Sequence, residues 1–154
     1  DRESLVHAVN EDVIDIIATD HAPHTLEEKQ RPYFSAPSGL PLVQHSLQML
    51  FQQYEQGLFS LETIVNKACH NPSRLFNIKD RGFLREDFFA DVVVVDPRKN
   101  YTISQQNLAY KCGWSPLEGV SMISSIDMTI LNGTIAFKDG YLTKTPNGRE
   151  LEYN

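Results

Sequence analysis

A run rich in Val and Ile, residues 11–19, stops abruptly at Asp20-His21-Ala22-Pro23-His24, and this junction constrains the chain more than any other feature. Consecutive β-branched apolar residues suit a strand buried on both faces, as in a parallel sheet. Pro23 lacks an N–H and cannot continue a strand ladder. A polar cluster therefore sits just beyond the C-terminal end of a buried strand, where α/β barrels place their catalytic groups. Asp20 is short and hard. One of its oxygens can bind a divalent ion while the other exchanges a proton with coordinated water. The same residue also suits the cap of an Asx turn, and the pattern leaves both readings open. His21 and His24 lie on the same loop, as candidate metal ligands or as groups that orient a neighbour or touch substrate or solvent. His7, His45 and His70 are isolated and read as surface or packing residues.

Downstream, residues 25–39 form a long polar loop, a type of segment that is often functional. Within it Ser38-Gly39, between Pro37 and Pro41, makes a tight loop whose backbone N–H groups can bind a carboxylate, and the pattern fits a plain turn equally well. Residues 41–56 read as a helix, with Pro41 in its first turn, Leu42, Leu47, Leu50 and Phe51 on its apolar face and Gly57 at its end. Ser60 caps a second helix reaching about residue 68, and Asn71-Pro72 starts a further helical turn. Composition changes near residue 80. Ala90-Asp91-Val92-Val93-Val94-Val95-Asp96-Pro97 reads as a strand, and Asn132-Gly133 between apolar runs signals a type I′ hairpin. Asp139-Gly140 marks another turn. A domain boundary is expected near residue 80, giving units 1–79 and 80–154.

The remaining composition excludes several functions. With 154 residues and a formal net charge of −6, the chain shows no basic stripe for nucleic acid. Its longest apolar runs are too short to span a bilayer. The charged, polar opening Asp1-Arg2-Glu3-Ser4 has no signal-peptide character. Cys69 and Cys112 lack metal-site spacing, and two buried reduced thiols are expected, in keeping with a cytoplasmic setting. The start at Asp1 without a methionine reads as part of a longer chain.

Several segments, in order, resemble those of the dihydroorotases. Asp15-Ile16-Ile17-Ala18-Thr19-Asp20-His21-Ala22-Pro23-His24-Thr25, with Glu27-Glu28-Lys29, is similar to their last barrel strand and loop. Ala36-Pro37-Ser38-Gly39-Leu40 resembles the substrate loop that follows. Asn71-Pro72-Ser73-Arg74-Leu75-Phe76, Gly82-Phe83-Leu84, Ala90-Asp91-Val92-Val93-Val94-Val95-Asp96 and Lys111-Cys112-Gly113-Trp114-Ser115-Pro116-Leu117-Glu118-Gly119 resemble segments shared more widely among cyclic amidohydrolases. The Asp-His-Ala-Pro-His form is the part that favours dihydroorotase. Ser38 stands where many relatives carry a bulkier residue, and no second glycine follows Gly39.

The resemblance implies an α/β fold: the C-terminal part of a (β/α)8 metal-dependent hydrolase barrel plus a small β-sandwich-like composite domain. Residues 1–79 would supply the last barrel strand, the substrate loop and the final helices, and residues 80–154 the β-rich composite domain. A whole barrel needs about 250 residues. The rest of the barrel would come from an N-terminal portion, and a homodimer is compatible with the family. The implied reaction is the reversible zinc-dependent cyclisation of N-carbamoyl-L-aspartate to dihydroorotate in pyrimidine synthesis. Asp20 would be both metal ligand and catalytic proton shuttle. His24, Ser38 and Gly39 would bind the small-molecule substrate, and His21 would be a neighbour of the metal site. One or two Zn2+ ions would take their other ligands upstream of residue 1. The same late segments also fit a dihydropyrimidinase, hydantoinase or allantoinase, which acts on a ring without the carboxylate. A non-catalytic amidohydrolase homologue is the remaining reading.

Overall fold

Helices fill the first half of the chain and strands the second, in a computed structural model that describes residues 1–143 and 148–154. The α-helices are α1 (Arg2–Asn10), α2 (Leu26–Lys29), α3 (Ser46–Glu55), α4 (Leu61–Val65) and α5 (Asn71–Leu75). The strands are β1 (Val92–Asp96), β2 (Tyr101–Thr102), β3 (Ser121–Met122), β4 (Ser125–Leu131), β5 (Thr134–Lys138) and β6 (Tyr141–Leu142). The element type thus changes near residue 80, as the composition does. Packing divides the chain differently, into two units that each draw on both halves. One comprises residues 1–17, 53–96 and 126–154, the other residues 18–52 and 97–125.

In the first unit, residues 11–19 do not form the expected buried strand. The chain leaves α1 through a turn with Asp12 at φ +57°, and Val13 is 74% exposed. A parallel strand is defined by the strands beside it, and among the described residues no ladder partner flanks residues 13–19. Side chains of the helical segment 61–75 hold this stretch instead. The Lys67 ammonium, which is buried, donates to Asp12 Oδ1 at 2.7 Å and to the Ile14 carbonyl at 2.6 Å. Asn71 Nδ2 donates to the Asp15 carbonyl at 2.9 Å, and the Ile17 N–H to the Lys67 carbonyl at 3.2 Å. A buried ammonium is tolerable only when paired in this way.

Ser60 caps α4 as expected, its hydroxyl accepting from the Thr63 N–H at 3.0 Å. The helix ends earlier than its sequence suggests, widening into a π turn over Asn66–His70 before α5. Lys67 takes the inward position of that turn. Cys69, two residues on, falls on the opposite side and is exposed, while Cys112 is half-buried. Both thiols are free, but neither is buried as expected.

The four-stranded sheet runs β1-β4-β5-β6. Its two tight turns carry positive φ at both central residues, Asn132 (+49°) with Gly133 (+78°) and Asp139 (+51°) with Gly140 (+88°). That is type I′ geometry, as read from the sequence at Asn132-Gly133, and Asp139-Gly140, expected only as a turn, shares it. A register shift between Thr129 and Ile130 marks a bulge in the β4–β5 pair. Arg81 is buried and ties this hairpin to the start of β1. It pairs with Asp91 and donates to Asn132 Oδ1 at 2.7 Å, while Asp91 Oδ1 accepts from the Asn132 N–H at 2.7 Å.

In the second unit, Pro41 leads into a 3₁₀ turn, Val43–His45, before α3 begins. The inward positions there are His45, Gln48 and Leu50, whereas Leu42, Leu47 and Phe51 are half-buried. Ile103 and Met122, beside the short β2–β3 pair, are almost wholly buried.

Candidate functional site

The site loop belongs to the second unit and starts at Asp20. This residue has φ +46°, a left-handed conformation that Asp and Asn tolerate better than other side chains. Backbone outliers of this kind concentrate at functional positions. The Asp20 side chain is exposed and makes no hydrogen bond or ion pair with another described residue. Beyond it the chain runs parallel to the segment at Leu40, through a bridge between His21 and Leu40 and an Ala22 N–H to Leu40 carbonyl bond of 3.0 Å.

That pairing requires glycine at position 39. Gly39 has φ +92°, and a Cβ on it would lie 2.5 Å from the Cβ of Ala22. Lys29 fixes the same turn from α2, its ammonium donating to the carbonyls of Pro37 at 2.7 Å and Gly39 at 3.1 Å. Ser38 is exposed at the tip, and the N–H groups of Ser38 and Gly39 donate to no other described residue.

His24 is held at both ends of its backbone. Its N–H donates to the Ala22 carbonyl at 2.9 Å, and its carbonyl accepts from the Trp114 indole N–H at 2.8 Å. The ring Nδ1 lies 3.7 Å from Glu28 Oε2, close enough for an ion pair when the imidazole is protonated. Glu28 closes the capping box of α2. The Thr25 backbone N–H and hydroxyl hold its carboxyl below the usual carboxylate range, so it remains an anion beside His24.

His21 has other partners. Its Nδ1 accepts from the Val43 N–H at 3.4 Å, and its ring lies 5.4 Å from that of Tyr110. The Tyr110 oxygen accepts from the Gln44 N–H at 3.1 Å and lies 3.4 Å from Nδ1 of His45. His45 is wholly buried, and burial pushes its pKa below the ordinary histidine value.

Backbone pairing therefore brings the Asp20–Ala22 stretch against the Ser38–Leu40 stretch, with His24 on the same loop. No hydrogen bond among the described residues joins Asp20, His24 and Ser38 to one another. Sequence reasoning missed three supports: Lys29, Tyr110 and Trp114. The capping box Thr25-x-x-Glu28 was a readable signal for α2, while nothing in the sequence pairs positions 24 and 114. Among the described residues no group of three or more His, Cys, Asp or Glu side chains could hold a metal ion. By its chemistry Asp20 fits as one oxygen ligand of a larger set.

The sequence pattern described as the amidohydrolase family matches residues 1–136. The chain belongs to the amidohydrolase family. Members of this family are metal-dependent. Among curated relatives, this amidohydrolase is 36% identical over 140 residues to the dihydroorotase of Clostridium acetobutylicum, covering 90% of the present chain and 33% of the relative. It is 37% identical over 138 residues to the dihydroorotase of Pyrococcus horikoshii, covering 90% and 32%. The chain thus spans about a third of the length of the curated relatives it matches. Among solved structures, the D-hydantoinase (dihydropyrimidinase) of a Thermus species superposes with a TM-score of 0.85 at 24% identity, over 93% of this chain and 32% of that one. The L-hydantoinase of Arthrobacter aurescens gives 0.83 at 24% identity, over 90% and 32%. These structures establish a shared fold. No helix among the described residues is long and apolar enough to cross a membrane.

Proposed function

We propose that this amidohydrolase chain is the C-terminal third of a dihydroorotase. In that reading residues 1–79 carry the last strand and final helices of a (β/α)8 barrel, and residues 80–154 a β-rich domain beside it. The observation that carries it is the Asp20-His21-Ala22-Pro23-His24 loop paired to Leu40, directly after Ser38-Gly39, in a chain 36% identical to a dihydroorotase. Free cysteines accord with a reducing, cytoplasmic setting.

In the hydrolytic direction, water attacks the ring amide carbonyl of dihydroorotate. An oxygen of the Asp20 carboxylate takes the water's proton and then delivers it to the ring nitrogen as the C–N bond breaks, leaving N-carbamoyl-L-aspartate. Cyclisation runs through the same proton transfers in reverse. A divalent ion, zinc in this reading, supplies polarisation of the carbonyl and a lowered pKa for coordinated water. Asp20 would give it one ligand, with the others drawn from residues outside this chain. His24 and the N–H groups of Ser38 and Gly39 would bind the substrate carboxylate, as charge-assisted donors do. Glu28 Oε2, 3.7 Å from His24 Nδ1, helps to orient the ring for this role.

The test uses the full-length protein. We expect it to contain zinc by elemental analysis, to cyclise N-carbamoyl-L-aspartate and to hydrolyse dihydroorotate, with little action on hydantoin or dihydrouracil. Efficient hydrolysis of hydantoin with none of dihydroorotate would assign it to the hydantoinase type instead. Absence of turnover on all of these rings in a zinc-loaded protein would favour the non-catalytic reading.

A further inference from the structure

The sequence segment Lys111-Cys112-Gly113-Trp114-Ser115-Pro116-Leu117-Glu118-Gly119 has no part in the proton transfers above, yet it touches the site loop. We propose that Trp114 is the positioning residue for His24. Its indole N–H holds the peptide from which the substrate-binding imidazole projects. The inference rests on the reading of His24 as a substrate ligand and adds what sets its place.

The geometry is specific. Trp114 Nε1 donates to the His24 carbonyl at 2.8 Å across 90 positions of sequence. An indole has one donor and no acceptor, so it fixes a carbonyl in one direction only. With the His24 N–H already committed to the Ala22 carbonyl at 2.9 Å, the Trp114 bond leaves this residue little freedom to swing. The segment that presents the indole is itself anchored. Gln44 donates through Nε2 to the Asn107 carbonyl at 2.8 Å and accepts from the Ala109 N–H at 2.8 Å. Tyr110 meets the His21 ring at 5.4 Å. Gly113 at φ +71° then turns the chain immediately before Trp114. Residues 107–114 thus support the loop at two histidines, and at His24 the support is a directed hydrogen bond. A group placed about 1 Å from its productive position loses much of its binding contribution.

The experiment is a double-mutant cycle in the full-length protein, with Trp114→Phe and His24→Ala. Kinetics on N-carbamoyl-L-aspartate, zinc content and thermal unfolding are measured for each variant. Trp114→Phe removes the donor and keeps an aromatic body. It should raise KM about three- to tenfold with kcat and zinc content unchanged, the range expected for one lost hydrogen bond. In the His24→Ala background the same substitution should leave KM where it is. Should Trp114→Phe not yield folded protein, a benzothienylalanine at position 114 keeps the bicyclic shape without the N–H and serves as the same test. A raised KM in His24→Ala with an unchanged KM in the position-114 variant would overturn the positioning role alone. An equal rise in KM with and without His24 would reduce Trp114 to general packing and also overturn it. An unchanged KM in His24→Ala would remove the substrate-binding reading, and this inference with it.

Discussion

Gly39 and Ala22 approach so closely that a Cβ on the glycine would sit 2.5 Å from the Cβ of the alanine. The Ser38–Leu40 turn and the Asp20 loop are therefore joined where no side chain fits. Two separate penalties face Gly39→Ala: the contact itself and a φ of +92°, which costs an L residue about 1–3 kcal/mol. The variant should fold, lose at least the backbone part of that cost, about 1–3 kcal/mol, and raise KM for the substrate. Adding Ala22→Gly should recover the contact part of the loss and leave the backbone part. Calorimetric unfolding and steady-state kinetics of both variants check this. Wild-type behaviour in Gly39→Ala would mean the two loops are not coupled.

Asp20→Asn separates chemistry from architecture. Asparagine accepts the left-handed backbone of +46° nearly as well as aspartate, so the turn survives. It cannot exchange a proton. Turnover should fall by about 10²–10⁴, the usual contribution of a positioned acid–base group, with unfolding temperature little changed. A variant that keeps near-normal turnover would exclude Asp20 as the shuttle, and one that fails to fold would make the residue structural.

The pH dependence of stability should carry a signature of His45. This ring is fully buried, and burial holds its pKa below the ordinary 6.5. The unfolded chain then binds the proton more readily than the folded one, so stability is fully present above pH 6.5 and is lost as pH falls toward the folded value. His45→Gln, neutral at every pH, should flatten the curve below pH 6.5 relative to wild type. Urea unfolding at a series of pH values reads the difference directly. Parallel curves for the two proteins would show that His45 does not titrate in that window.

Local chemistry was the legible part of this chain. Asn132-Gly133, Asp139-Gly140 and the Ser60 cap each encode their own geometry within a few residues, and the structure carries all three. Residues 11–19 were not legible in the same way. Their β-branched composition states a preference for burial between strands, but a strand exists only with partners, and here Lys67 and Asn71 hold the backbone instead. The inward side of the helix after Pro41 was legible only in part, for a related reason. Periodicity points Leu42, Leu47, Leu50 and Phe51 inward, and of these Leu50 is buried, but the buried positions also include His45, whose Nδ1 lies 3.4 Å from the Tyr110 oxygen, and Gln48, which donates to the Ser124 carbonyl. At the site, Asp20 and the Ser38-Gly39 turn stood out as motifs. The Trp114–His24 bond spans 90 positions and leaves no local trace.

Residues 1–154 expressed alone should hold zinc poorly and should not cyclise N-carbamoyl-L-aspartate. A catalytic zinc needs about three protein ligands besides water. Among the described residues no cluster of three His, Cys, Asp or Glu side chains exists, and Asp20 stands as a single exposed carboxylate. One such group competes weakly against water and any chelator. The apolar inventory points the same way. The buried apolar side chains among the described residues are Val9, Pro41, Leu50, Ile64, Ile103 and Met122, while Tyr33, Phe34 and Leu84 are 89%, 99% and 80% exposed. Exposed apolar surface of that kind favours association with other chains. After desalting, elemental analysis should find less than about 0.1 zinc per chain, and light scattering should find oligomers or aggregates. A monomer with stoichiometric zinc and measurable ring closure would refute both the ligand count and the assignment of the remaining ligands to residues outside this chain.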